Sequence, residues 1–392
     1  MKKAYSFRIY PNKNQEVKLD RTLNTCRHLY NDALAERKRQ AGLNRLKREF
    51  QIFPWGKPEW ISYEDQANKL AKSKTPEQKE VHSQVLQNTL KRLDRSFKNF
   101  YNGFGYPRFK GRNRYNTFTY PQSGFDLIGN DLKLSKIGTI RIFQHREIEG
   151  NIKTCTIKKD VDRWYAIFTV KIKKKIEKVP VKTKIGIDVG LSSLLTLSNG
   201  KKIEPPKFLR KSEKKLAWEQ IKLSRKKPGS KNRTKQRIKV ARVHRKIRNQ
   251  RSDFSHKASR DLVNRYEYII FERLNIRGMV QNHHLAKSIS DAGWYQLQMF
   301  TRYKAEYAGK QVNLCIPNGT SQQCHVCGNI QKMTLKDRMF RCSMCGNIED
   351  RDINASNNIR DSKNICTYGL WGINACGEDP KGDSLKQEAL AL

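Results

Sequence analysis

Acidic residues are scarce in this 392-residue chain: 37 Asp and Glu stand against 80 Lys and Arg, a formal net charge of +43. A free chain with that imbalance repels itself, and a polyanion relieves the repulsion. Nucleic acid is the leading polyanion, because each neutralised phosphate also releases condensed counterions; a ribosome-associated or thermophilic protein is the plainer reading of the same charge. Apolar residues are sparse too, at 37%, and no run of them approaches the length that spans a bilayer. The opening Met1-Lys2-Lys3-Ala4-Tyr5-Ser6-Phe7-Arg8 never builds the apolar stretch of a secretory signal. Neither a Ser-His-Asp arrangement nor a Walker-type phosphate loop is found. Of nine cysteines, Cys26, Cys155, Cys315, Cys366 and Cys376 are scattered and the other four form two CxxC pairs, the pattern of an intracellular metal protein and not of a disulfide scaffold.

The length leaves room for about two to four compact units. Residues 4–10 alternate, with Tyr5, Phe7 and Ile9 on one face, and predict a strand ended by Pro11. From Asn12 to Phe100 the signal is helical, most clearly where Val81, Val85, Leu86, Leu90, Leu93, Phe97 and Phe100 recur. A loop rich in aromatic and basic residues follows to Arg114. Alternation returns over 115–176, with turns at Gly124, Gly129, Gly138 and Gly150, so a β unit interrupted by a helical insertion is expected. Residues 201–260 hold 23 Lys and Arg against four acids, and Pro228-Gly229-Ser230 divides them into two predicted helices. A strand at Tyr268–Phe271, helices to about Lys310 and a strand at Val312–Ile316 precede the cysteine pairs. The last 32 residues carry three bases and five acids and read as a flexible tail.

Cys324-His325-Val326-Cys327-Gly328 and Cys342-Ser343-Met344-Cys345-Gly346 repeat one knuckle, CxxCG, with 14 residues between the pairs. Two thiolates at this spacing grip one ion, the glycine permits the tight turn, and four thiolates close a structural zinc shell. His325, between ligands, is expected to be exposed and not bound.

Three acids stand on separate predicted elements. Asp188 lies in Ile185-Gly186-Ile187-Asp188-Val189-Gly190, with Ile185, Ile187 and Val189 on one face and the acid and its two flanking glycines on the other. Those glycines leave space for a backbone or ligand to come close. Glu272 ends the apolar run Tyr268-Ile269-Ile270-Phe271, at the strand end where open α/β sheets place their sites. Asp352 shares a helical face with Ala355 and Ile359 and so points inward, with Asp350 as a flanking acid or cap. Taken singly, each acid has a plainer reading: turn chemistry, an exposed strand end, a surface pair with an arginine. Together, three hard oxygen ligands suit magnesium, and two such ions about 3.5–4 Å apart suit in-line displacement at a phosphodiester.

The order of these parts (IGIDVG, a strand ending in Phe-Glu, a CxxC ribbon, then DRDxNA on a helix) resembles the split RuvC nuclease of the TnpB family. Ser6-Phe7-Arg8-Ile9-Tyr10-Pro11, Tyr30-Asn31-Asp32-Ala33-Leu34, Leu90 to Tyr101 and Tyr106-Pro107-Arg108-Phe109-Lys110 extend the resemblance upstream, over residues 4–365 in all. It implies a multidomain α/β protein. A wedge-type β-barrel (1–11 and 112–180) would be interrupted by a helical recognition domain (12–111). An RNase H-like RuvC domain (181–313 and 346–365) would hold an inserted zinc ribbon (314–345), with a flexible tail (366–392) after it. It implies a transposon-encoded, RNA-guided DNA endonuclease that binds a guide RNA derived from the transposon end and checks a short target-adjacent motif. A single site would then cut both strands of double-stranded DNA. Asp188, Glu272 and Asp352 match the acids that hold two Mg2+ ions; Cys324, Cys327, Cys342 and Cys345 match the ligands of one Zn2+. A cytoplasmic, nucleoid-associated protein is expected; its oligomeric state stays open, with a monomer favoured.

The rest of the chain suits that task. A guide–target heteroduplex needs a positive channel that holds backbone, and residues 201–260 could line part of it or be a solvated charge run. Tyr106, Arg108, Phe109 and Lys110 could clamp RNA or stack on bases, or plug a gap between domains. Gln87 and Asn88 could touch duplex DNA at the adjacent motif or lie on an ordinary solvated face. An RNA-independent transposase or resolvase and a non-catalytic nucleic-acid-binding regulator are the competing readings.

Overall fold

The first strand finds its partners late in the chain. β1 (Lys2–Tyr10) buries Tyr5, Phe7 and Ile9 on one side, as strand alternation dictates. Helix α1 (Lys13–Glu49) starts at a capping box: Asn12 accepts from the Gln15 N–H and Gln15 from the Asn12 N–H, each at 2.9 Å. The same device at Ser62 and Thr75 opens α2 (Tyr63–Lys72) and the short α3 (Pro76–Lys79). Helix α4 (Ser83–Tyr101) buries Val85, Leu86, Leu90 and Leu93. Then come β2 (Thr117–Tyr120), β3 (Phe125–Ile128), β4 (Asp131–Leu134), β5 (Gly138–Phe143), β6 (Asn151–Asp160) and β7 (Arg163–Lys171). β1 pairs antiparallel with β7, Tyr5 opposite Phe168, and with β5, Ile9 opposite Ile142. The four helices are therefore an insertion into a sheet, and sheet and helices share one core that runs from Tyr5 and Phe7 to Leu19, Leu86 and Phe168.

This computed structural model describes residues 2–50, 58–172, 176–316, 319–334, 337–363 and 365–367. The chain divides into two units, Met1–Lys174 and Lys175–Leu392. The seven strands of the first are ordered β2-β6-β7-β1-β5-β4-β3. Among the described residues the end strands β2 and β3 do not pair, so the expected closed barrel is an open sheet. It is nonetheless curled: Phe125 of β3 approaches both Tyr120 of β2, at 6.4 Å between ring centroids, and Phe168 of β7, at 6.5 Å. Aromatic packing does here what a closing hydrogen-bond ladder does in a barrel, and Pro121, just past β2, brings no N–H to such a ladder.

The second unit is a mixed α/β assembly. Its strands are β8 (Lys184–Asp188), β9 (Leu195–Leu197), β10 (Lys202–Ile203), β11 (Tyr268–Glu272), β12 (Gln311–Cys315), the ribbon pair β13 (Met339–Arg341) and β14 (Ile348–Asp350), and β15 (Ile365–Thr367). Its helices are α5 (Phe208–Ser224), α6 (Lys231–Arg265), α7 (Ile276–Val280), α8 (His283–Ala292), α9 (Trp294–Tyr307) and α10 (Arg351–Asp361). The main sheet runs β10-β9-β8-β11-β12-β15. Central β11 is parallel to both β8 and β12, and its Ile269, Ile270 and Phe271 are wholly buried, the continuous apolar run that a two-sided strand needs. α5 and α6 part at Pro228-Gly229-Ser230, where Gly229 takes φ 79°. Cys366 and Thr367, expected in the tail, belong to edge strand β15, paired with Leu314 and Asn313; the tail from 368 on lies outside the described residues. Among the described residues no helix is long and apolar enough to cross a membrane.

Candidate nuclease site and four-cysteine ribbon

Asp188 is the last residue of β8 and Glu272 the last of β11, and these strands lie side by side in parallel with Ile187 opposite Phe271. Both carboxylates therefore leave the same, C-terminal edge of the sheet, within hydrogen-bonding reach of one another. Burial pushes Asp188 up to about 6, and the charge of Asp352 adds to it. Glu272 is pushed up to about 8 by burial first and then by Asp188. Two half-buried acids pressed together hold protons that water would otherwise take.

Asp352 arrives on α10. Ala355 and Ile359 of its face are buried, as the periodicity predicts, while the Asp352 side chain keeps 19% exposure, with Arg351 Nη2 3.5 Å from its Oδ1. Asp350 is the cap: its Oδ1 accepts from the Asp352 N–H at 3.0 Å and the Ile353 N–H at 3.2 Å, and Lys202 Nζ reaches Oδ2 at 2.7 Å. What lets α10 come so close to β8 is Gly186. A Cβ there would stand 2.1 Å from the Ser356 carbonyl oxygen and 2.4 Å from the Arg360 nitrogen. The space expected beside Gly186 is thus filled by the backbone of α10.

The donor set of Asp188, Glu272 and Asp352 is all oxygen and hard. It fits divalent cations of the magnesium kind. The three carboxylates are less tightly gathered than the cysteines: among the described residues, only Cys324, Cys327, Cys342 and Cys345 bring three or more ligand atoms all within 4.8 Å of one another.

In the ribbon, Cys324 and Cys345 stand 3.7 Å apart and Cys327 and Cys342 3.5 Å apart, sulfur to sulfur. The two knuckles share one fold. Gly328 N–H reaches the Cys324 carbonyl at 2.9 Å and Gly346 N–H the Cys342 carbonyl at 3.1 Å, with φ of 77° and 68° at the two glycines. Those angles explain the G of each CxxCG. Four converging sulfurs could hold a metal ion. His325 is not exposed as expected but half-buried, because its backbone N–H donates to Asn354 Oδ1 at 3.0 Å and its Nδ1 lies 3.1 Å from Glu349.

Gln87 is exposed and Asn88 half-buried on the outer side of α4. In the loop after α4, Tyr106 packs edge-on against Phe97 and Phe100, leaving 39% of itself exposed; Arg108 is exposed, and Phe109 is 51% exposed under Lys38. Lys110 is fixed through its backbone, whose N–H and carbonyl both bond the Asn31 side chain, at 2.8 and 3.0 Å. On α5 and α6, Lys214, Lys215, Lys222, Lys235 and Lys239 are exposed. Sequence reasoning missed Asn31, Asn354 and Asn358 as fastening residues. Their signal was available: asparagine is a poor helix former, and Asn354, Asn357 and Asn358 crowd one helix.

A family model described as "Probable transposase" matches residues 167–283, one described as "Cas12f1-like, TNB domain" matches 294–359, and one described as "Helix-turn-helix domain" matches 1–44. The last span is a strand and the greater part of one long helix, without an intervening turn between two helices. These matches place a probable-transposase region and a Cas12f1-like region in one chain. A "Putative RNA-guided DNA endonuclease" of Streptomyces pristinaespiralis is 34% identical, over 96% of this chain and 92% of its own. The "Putative RNA-guided DNA endonuclease InsQ" of Escherichia coli (strain K12) is 32% identical, over 98% and 96%. A "CRISPR-associated endodeoxyribonuclease Cas12f1" of Sulfoacidibacillus thermotolerans is 34% identical over 33% of this chain and 32% of its own. The chain belongs to the TnpB family of RNA-guided DNA endonucleases.

Proposed function

We propose that this chain cuts double-stranded DNA at a site chosen by a bound RNA, with Asp188, Glu272 and Asp352 as the acids that hold two magnesium ions. The observation that carries this reading is the half-buried pair that meets at the ends of β8 and β11, under the charge of Asp352, in a chain of net charge +43. When bound, such ions activate a water and stabilise the departing 3′-oxygen of a phosphodiester. The chain's own part is to orient. β8 and β11 fix two carboxylates on one sheet edge, Gly186 admits α10, and Asp350 sets the first turn that carries Asp352. The four cysteines hold one structural zinc.

The surrounding residues take roles that fit their exposure. Lysines and arginines of α5 and α6 hold phosphate backbone, Tyr106, Arg108, Phe109 and Lys110 contact RNA or bases, and Gln87 and Asn88 face duplex DNA. The helical insertion and curled sheet of the first unit serve as recognition and wedge domains, and the second unit as an RNase H-like nuclease domain around the ribbon. RNA that copurifies with the protein is to be sequenced, and its variable segment replaced. Cleavage that follows the new segment to a new plasmid site supports the proposal. Magnesium-dependent cutting that ignores the RNA points to a transposase-like nuclease, and no cutting of any target points to a non-catalytic binder.

A further inference from the structure

The two ligand sets of the second unit are fastened together by amide side chains. Asn354, wholly buried two residues beyond Asp352, accepts from the His325 N–H at 3.0 Å and donates to the Gln323 carbonyl at 2.7 Å. Gln323 and His325 are the residues on either side of Cys324, so one side chain grips the backbone on both sides of a ribbon ligand. One turn on, Asn358 donates to the Thr320 carbonyl at 2.8 Å and to the Gln323 carbonyl at 2.6 Å. Glu349, just before α10, adds its contact with His325 Nδ1 at 3.1 Å. An asparagine presents donor and acceptor in one plane, so its two bonds fix the orientation of the backbone segment it holds as well as its distance. A buried amide stripped of such partners leaves unsatisfied backbone groups, so the junction is held as a unit.

From this we infer that Asn354, with Asn358, is a positioning residue. It transmits the order of the metal-loaded first knuckle to α10 and thereby holds Asp352 where it can share ions with Asp188. The inference rests on the reading of Asp352 as a metal-holding acid. An empty ribbon should loosen the Gln323–His325 segment, leave Asn354 without fixed partners, and let the first turn of α10 drift from β8.

The test uses full-length protein. It reads zinc content by elemental analysis, Mn2+ binding by electron paramagnetic resonance without nucleic acid, and the Mn2+ concentration for half-maximal cleavage. Asn354→Ala should keep its zinc and bind Mn2+ about tenfold more weakly, the scale on which outer partners of metal sites act. Cys327→Ser should lose zinc and weaken Mn2+ binding similarly. The double variant should be no worse than Cys327→Ser alone, because both changes break one linkage. Parent-like Mn2+ binding by Asn354→Ala, or effects that multiply in the double variant, overturns the inference. Should Asn354→Ala fail to fold, Asn358→Ala replaces it: about threefold weaker Mn2+ binding with zinc retained supports the linkage, and no change overturns it. Asp352→Ala separates the two levels. If that variant binds Mn2+ and cleaves like the parent, the reading of the acids has failed; if it loses both while Asn354→Ala changes nothing, only the linkage has failed.

Discussion

The four cysteines and the three carboxylates are both ligand sets, assembled in opposite ways. The cysteines come from two copies of a five-residue knuckle whose turns are closed by local hydrogen bonds, from Gly328 to Cys324 and from Gly346 to Cys342. Their four ligand atoms lie within 4.8 Å of one another. The acids come from positions 188, 272 and 352, and only tertiary packing brings them near: parallel pairing of β8 with β11, and the approach of α10 over Gly186. They are also harder to bring together, since buried like charges resist approach. A soft, closed set can be built by turn chemistry; a hard, open one has to be enforced by a sheet and a helix packed for that purpose.

Substitutions that separate the two sets give the largest effects. Asp188→Ala should lower magnesium-dependent plasmid cleavage by on the order of a thousandfold while zinc content stays at one ion per chain. Cys342→Ala should instead lose the zinc and the protease resistance of the ribbon. Zinc lost from Asp188→Ala, or zinc kept by Cys342→Ala, would mean that the two sets are not the separate sites described above. Gly186→Ala sharpens the packing half of the contrast. Its new methyl meets backbone at 2.1 Å, so denaturant unfolding should show a loss of about 3 kcal/mol, whereas Gly190→Ala, whose Cβ would lie 3.0 Å from the Ser193 carbonyl oxygen, should cost less. Equal costs would mean that α10 does not depend on that close approach.

The acid pair should also respond to pH. Both folded-state values lie above the ordinary carboxylate range, so the native state keeps protons that the unfolded state has released. The contribution of this pair to stability is then present at low pH and is lost as pH rises through about 6 for Asp188 and about 8 for Glu272. Divalent ions take the place of those protons. The rise in Tm on adding Mg2+ should therefore be larger at pH 8 than at pH 6, and Mg2+ affinity should climb about tenfold per unit where one proton is displaced. A Mg2+ effect independent of pH would contradict proton displacement at this site. The smallest effect is at the cap: Asp350→Ala removes the one oxygen that accepts from two N–H groups in the first turn of α10 and should cost about 1 kcal/mol, read by thermal unfolding.

Much of this was legible along the chain, and what was not has a common cause. Tyr5, Phe7 and Ile9 alternate toward a core, Pro228-Gly229-Ser230 splits two helices, the CxxCG repeats encode their own turns, and Ala355 and Ile359 give the inward face of α10. Each of these is local, within reach of strand or helix periodicity. The departures are all tertiary. His325 is half-buried because a helix 29 residues away supplies Asn354, and Gly186 meets α10 across the sheet. Cys366 and Thr367 are edge strand because they pair with the outer side of β12, and the first sheet is open, with Phe125 packed against Phe168 across its interior.

The most direct test of the central claim is diffraction from crystals of the protein soaked in manganese, recorded at the manganese absorption edge. The account predicts anomalous density within about 2.2 Å of oxygens of Asp188, Glu272 and Asp352, lost in Asp188→Ala crystals. Manganese bound elsewhere while that edge of the sheet stays empty would contradict it.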